Sequence, residues 1–212
     1  MEKELRLEIL DNERLKILPM LKAFKDNFYL AGGTGLALQL GHRKSVDFDF
    51  FSLKKFNLLD LNKQISHLFK DYKISVIQFE TDTFTIILND EIKLLFFNIN
   101  EELALPLIQS EWFQICNEVE IGSMKVAALF RGAYRDYLDL YFILLNNNLE
   151  SILEICKKKY QEFDESLYLK ALLSYDDIEI TPIKFLPKKD VNPQDVFTFI
   201  EKKVKHFLTR TV

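Results

Sequence analysis

The sequence predicts an α+β protein, a mixed sheet with its helices in the amino-terminal part and a helical carboxy-terminal region beside it, on three observations. Short β-rich runs alternate with segments of helical period up to about residue 100. From Gly122 onward the period is almost wholly helical. Near the start, a strand, a glycine turn, a short helix and an acid-aromatic strand follow one another within about two dozen residues. Residues 1–121 are therefore expected to form the core with the mixed sheet, and residues 122–212 a helical region that completes the site.

Taken in order, Asp11 to Phe24 shows Leu15, Ile17, Leu18 and Leu21 at helical spacing, with Asp11 placed to cap and Pro19 predicting a kink or break. Asn27 to Ala31 is a short strand ended by Gly32 and Gly33; Thr34 to Leu40 is a helix stopped by Gly41. Val46 to Phe51 alternates acid with aromatic, the period of a strand, and Phe56 to Tyr72 is a helix with Leu59, Ile65, Leu68 and Phe69 as its apolar stripe. Lys73–Phe79, Thr83–Leu88 and Ile92–Ile99 are strands, the last two joined through an Asn89-Asp90-Glu91 hairpin turn. Helices are expected over Ser123–Tyr134, Asp136–Leu145, Leu149–Gln161, Glu165–Tyr175 and Asn192–Thr209, the last with Asn192 as cap and Pro193 in first position. Residues 176–191 read as a loop.

Composition narrows the function. The net charge is −4, and residues 1–106 and 107–212 each carry 14 basic and 16 acidic side chains, so neither half is a basic module and nucleic acid would have to meet a local patch. The 19 Phe against 1 Trp predict a core filled with phenyl rings. Cys116 and Cys156 are too few for a disulfide framework and read as reduced thiols. The amino terminus has no apolar leader core and no apolar run reaches the ~20 residues that span a bilayer, so a cytoplasmic protein with no membrane partner is expected.

The chemistry lies in Leu30-Ala-Gly-Gly-Thr34 followed by Gly41-His-Arg-Lys-Ser-Val-Asp47-Phe-Asp49-Phe-Phe51. Gly32 and Gly33 let the backbone approach a ligand, and Thr34 offers a hydroxyl and an amide at a helix start, a phosphate-cradling arrangement that Arg43 and Ser45 of the following loop can join. On a strand, Asp47 and Asp49 share one face while Val46, Phe48 and Phe50 take the other. Two carboxylates ~6 Å apart repel by roughly 3 kcal/mol at an effective dielectric of ~20. Mg²⁺, or Mn²⁺ in its place, relieves that repulsion, takes hard oxygen ligands and completes its shell with water and substrate phosphates. A second stretch carries basic residues on an otherwise apolar helix, Lys125 and Arg131 among Val126, Ala127, Leu129 and Phe130, and such groups require anionic partners. On the next helix Asp136 and Asp139 share a face, and Arg135 stands four residues from Asp139, an ion-pair spacing. Three lysine-rich runs, residues 157–159, 188–189 and 202–205, read as solvated helix ends or as RNA backbone contacts.

The first stretch resembles motif I of the DNA polymerase β-like nucleotidyltransferases, and its form Gly-Gly-Thr-x-Leu-Ala-Leu-x-Leu-Gly-His-Arg-x-Ser-x-Asp-x-Asp-Phe-Phe resembles the AbiEii toxin family in particular. The run from Met124-Lys125 through Arg131, Arg135-Asp136 and Asp139-Leu-Tyr141 is similar to that family's later motifs. The resemblance implies a metal-dependent transfer of a nucleoside monophosphate from an NTP. Asp47 and Asp49 would be the metal ligands, and Gly32, Gly33, Thr34, Arg43, Ser45 and Arg131 would line the nucleotide. Lys125 would meet phosphate charge, and Asp139 would align the acceptor or a basic partner. It further implies a tRNA 3′ end as acceptor and an antitoxin as protein partner. One departure stands out: the strand Ile92–Asn98 lacks the third carboxylate many such enzymes carry. A protein hydroxyl or a small molecule as acceptor, and a nucleotide-binding module without turnover, are the alternatives.

Overall fold

The computed structural model describes residues 4–52, 54–99 and 102–210; Met1 to Lys3, part of the stretch read for a leader, lie outside them. The chain divides into two compact units, Met1–Glu102 with Pro106–Cys116, and Leu103–Leu105 with Asn117–Val212.

In the first unit Asp11 accepts the Arg14 amide and opens helix α1 (Asn12–Leu21). Pro19 cannot donate a backbone hydrogen bond, and the chain tightens into a 3₁₀ turn at Lys22–Phe24 directly after the helix. There follow β1 (Tyr29–Leu30), α2 (Gly32–Leu40), β2 (Phe48–Ser52), α3 (Leu58–Leu68), β3 (Ile74–Glu80), β4 (Thr83–Leu88), β5 (Ile92–Asn98), β6 (Ile108–Gln109) and β7 (Gln114–Ile115). They form one sheet in the order β3-β4-β5-β2-β1-β7-β6. It is mixed: β2 runs parallel to β5 and antiparallel to β1, and β1 runs parallel to β7. Asn89 and Asp90 take positive φ (51° and 59°) at the β4–β5 hairpin, the left-handed pair that a tight turn between right-twisted strands demands. Strands β6 and β7 were not predicted, because two residues are too few to display a period of two.

The phenylalanines meet where expected. Phe96 on β5 lies 5.0 Å from Phe24, 5.2 Å from Phe28 and 5.4 Å from Phe50, centroid to centroid. The stripe predicted for α3 is partly corrected. Leu59 is 61% exposed, and the buried face is Leu61, Ile65 and Phe69, one step of four residues after another from the Asn57 cap.

The second unit holds α4 (Glu118–Ala127), α5 (Tyr134–Leu144), α6 (Leu149–Lys159), α7 (Glu165–Leu173) and α8 (Pro193–Arg210). The single helix expected over Ser123–Tyr134 is replaced by α4, which starts earlier under an Asn117 cap, and a separate 3₁₀ turn at Leu129–Arg131 closed by Gly132 at φ +66°. Helical spacing therefore does not carry past Ala127. Arg131 sits on the turn, and Phe130, read as core, is 57% exposed. At the other end of α4, Glu120 is fully buried; it accepts the amides of Ala104 and Leu105, both at 3.0 Å, and pairs with Lys159 at 2.8 Å. No helix of the described residues is long and apolar enough to cross a membrane.

Three buried acids of this unit prefer to stay neutral. Burial pushes the Cys156 thiol up to about 12 and raises the phenols of Tyr134 and Tyr137, the latter also through the Asp136 charge. A folded pKa above the unfolded one means that the unfolded chain loses its protons first as pH rises. The associated stability is complete below pH 9 and is lost from there toward about 12. The melting temperature followed by circular dichroism should thus fall between pH 9 and pH 11, less steeply in Cys156→Val.

Candidate active site

In the first unit Ala31 donates to the Asp49 carbonyl at 3.0 Å, continuing the β1–β2 pairing into the glycine turn. Helix α2 then begins at Gly32, two residues before the predicted start, so both glycines lie in its first turn. Gly32 has φ +62°, and a Cβ added there would overlap the Asp49 carboxylate. At Gly33 a Cβ would come within 2.5 Å of the Arg43 guanidinium and 3.1 Å of the Ser45 hydroxyl. Only a bare backbone admits these side chains. Thr34, fully buried, donates its hydroxyl to Ser45 Oγ at 2.9 Å, and Arg43, also buried, donates to the Lys44 carbonyl at 3.2 Å. The first intrahelical bond of α2 is made by Gly35 to Ala31, leaving the preceding amides at the positive end of the helix. The structure thus brings Gly32, Gly33, Thr34, Arg43, Ser45 and Asp49 together around one helix start.

The two aspartates differ in support. Strand β2 begins at Phe48, later than predicted; Asp49 is half-buried and alternates with the buried Phe48 and Phe50, but Asp47 precedes the ladder and is exposed. Val46, assigned to the core face, is instead 41% exposed. Its carbonyl accepts from Arg14 Nε at 2.6 Å; the same guanidinium donates to Asp11 Oδ2 at 2.5 Å and to the Glu91 carbonyl at 2.9 Å. Arg14 is 4% exposed and escaped the sequence reading, its only signal being a cation one helical turn before the apolar Ile17 and Leu18. Beside Asp49 on β5 stands Leu95, so β5 supplies an aliphatic side chain where a further carboxylate would be needed. The Asp49 carboxylate beside the helix start, with Asp47 two residues before it in sequence, offers hard oxygen donors of the kind that suit Mg²⁺ or Mn²⁺, with water and phosphate completing the shell. No cluster of three or more potential ligands occurs among the described residues.

The second unit gathers a different set. Lys125 Nζ on α4 lies 3.0 Å from Asp136 and 2.6 Å from Asp139 on α5, and both carboxylates are fully buried. Arg131 grips Asp136 through Nε and Nη2, each at 2.6 Å. Two cations and two carboxylates therefore balance in a shielded cluster. The spacing-based pair between Arg135 and Asp139 does not form: Asp139 turns inward to Lys125, while Arg135 is exposed. The lysine runs are partly spoken for as well. Lys157 pairs with Glu165 at 2.5 Å, which raises its pKa, Lys159 with Glu120, and Lys205 with Glu201 at 2.5 Å.

The fold is that of the polymerase β-like nucleotidyltransferases. The crystal structure of JHP933 from Helicobacter pylori matches at a TM-score of 0.61 and 19% identity, over 99% of this chain and 94% of that one. The Megavirus polyadenylate synthase matches at 0.50 and 14% identity, over 63% of this chain and 31% of the synthase. An uncharacterized protein of Aquifex aeolicus (strain VF5) is 32% identical over 196 residues, 86% of this chain and 89% of that protein. The family model "Nucleotidyl transferase AbiEii toxin, Type IV TA system" matches residues 17–111. The chain belongs to this AbiEii-type family and is a nucleotidyltransferase.

Two substitutions probe the geometry. Gly32→Ala should cost about 1–2 kcal/mol in urea unfolding for its left-handed backbone and for displacing the Asp49 carboxylate that a Cβ there would overlap. Lys125→Ala leaves two buried carboxylates facing each other and should destabilise by about 3–5 kcal/mol in urea unfolding. A Lys125→Ala protein as stable as wild type would contradict the ion-pair account.

Proposed function

We propose that the protein transfers a nucleoside monophosphate from an NTP to the 3′ end of an RNA, a tRNA in the first instance, in a Mg²⁺-dependent reaction, as the toxin of a toxin–antitoxin pair in the cytoplasm. The observation that carries the reading is the Asp49 carboxylate lying against the bare backbone of Gly32 at the start of α2. A triphosphate on the α2 amides would have its negative charge next to that carboxylate, an arrangement that requires a cation between them. The family description supports the toxin role and with it a cognate antitoxin. The likeness in fold to a polyadenylate synthase agrees with RNA as acceptor.

In this reading the amides of Gly33 and Thr34 and the Arg43 guanidinium hold the triphosphate, while Ser45 keeps Thr34 in place. Asp47 and Asp49 would hold Mg²⁺, or Mn²⁺ in its place, which would supply charge neutralisation on the phosphates and a fixed orientation for them. The acceptor hydroxyl attacks the α-phosphorus, its proton passes to solvent or a nearby carboxylate, the new O–P bond forms and pyrophosphate leaves with the electrons of the broken one. Catalysis then consists chiefly of positioning and of meeting developing charge. In the second unit, by itself, Asp139 keeps Lys125 in orientation through their 2.6 Å pair. With Leu95 beside Asp49, one metal ion is the stoichiometry the carboxylates support.

The test is incubation with each labelled NTP, Mg²⁺ and either total RNA or total protein. Label should enter small RNA, and Asp47→Asn and Asp49→Asn should each lower the rate by at least a hundredfold without lowering the metal-free melting temperature, since both changes relieve carboxylate repulsion. Label entering only the protein pool would replace the RNA acceptor with a protein hydroxyl.

A further inference from the structure

We propose that Arg14 is the positioning residue of the metal site, and that its hold on the Val46 carbonyl decides where the Asp47 carboxylate stands. The inference rests on the reading of Asp47 and Asp49 as metal ligands. Asp49 needs no such help: it lies inside β2, its carbonyl accepts from Ala31, and Leu95 flanks it on β5. Asp47 has neither support. It precedes the first ladder residue, Phe48, and its side chain is exposed. The Val46 carbonyl, however, belongs to the same rigid peptide plane as the Asp47 nitrogen and Cα, so fixing that oxygen restricts the Cα from which the carboxylate hangs.

Arg14 fixes it strongly. Its planar fork meets three separate segments, the Asp11 carboxylate at 2.5 Å, the Val46 carbonyl at 2.6 Å and the Glu91 carbonyl at the β4–β5 turn at 2.9 Å. The Glu91 carboxylate stands 3.5 Å away. At 4% exposure, water competes little for these bonds. A helix and a hairpin turn, elements far apart in sequence, are thereby used as fixed points for one flexible ligand. Lysine keeps the charge but has no planar fork, so it cannot reproduce the three contacts together.

A purely structural Arg14 would cost stability alone, so the experiment reads metal affinity apart from turnover. Mn²⁺ is titrated by electron paramagnetic resonance, with a non-hydrolysable NTP present, into the full chain as wild type, Arg14→Lys, Arg14→Gln, Asp11→Ala and Asp47→Asn, each checked for folding by circular dichroism. Arg14→Lys and Arg14→Gln should weaken Mn²⁺ by about tenfold or more, the usual effect of losing a group that orients a ligand. Asp11→Ala, which loses the α1 cap but retains the bond to Val46, should lower the melting temperature with Mn²⁺ affinity within about twofold of wild type. Wild-type affinity in either folded Arg14 variant, or an equal loss in Asp11→Ala, overturns the proposal. If Asp47→Asn binds Mn²⁺ as wild type does, the metal reading itself fails and the role of Arg14 fails with it.

Discussion

The close approach of Asp49 to Gly32 is the constraint on which the first unit is organised. A carboxylate and the positive end of a helix occupy the same few ångströms, with Arg43 and Ser45 crowding the next glycine. Any side chain at residue 32 would separate them, and the left-handed backbone there would be strained as well. The rest of the unit can be understood as the frame for this contact. β1 and β5 clamp β2 from both sides, so Asp49 cannot slide along its strand without flipping Phe48 and Phe50 out of the phenyl core. The aromatic packing is thus a device for register as much as for stability.

The second unit solves a different problem, that of buried charge. Lys125, Asp136 and Asp139 are all out of water, and a lone charge in such a place would be driven to neutrality or would unfold its surroundings. Arg131 completes the balance while leaving 60% of its own side chain in solvent. Removing a single member leaves the others uncompensated, so the cluster ties α4 to α5 through charge as well as packing. The Glu120 pair repeats the principle: one carboxylate ties residues 104 and 105, α4 and α6 together through two amides and Lys159.

Sequence by itself determined a good deal here. The α+β class, the order of strands and helices up to β5, the hairpin at Asn89–Asp90 and the glycine turn with its acid-aromatic strand could all be read, because each rests on local chemistry: backbone freedom, capping, and the periods of helix and strand. Family membership followed from the same motifs. What only the tertiary structure decided depends on contacts between distant residues. Strands β6 and β7 exist because β1 offers an edge for β7 to pair with, not because two residues prefer to be extended. Leu59 and Phe130 had the right spacing for burial, but the face a helix presents and the point where it stops are settled by what packs against it. Asp139 was expected beside Arg135 on its own helix and instead crosses to Lys125, since a buried carboxylate gains more from a shielded partner than from an exposed one. Arg14 could not be recognised at all, because its importance lies in a carbonyl 32 residues away, and no one-dimensional pattern records where a long side chain ends.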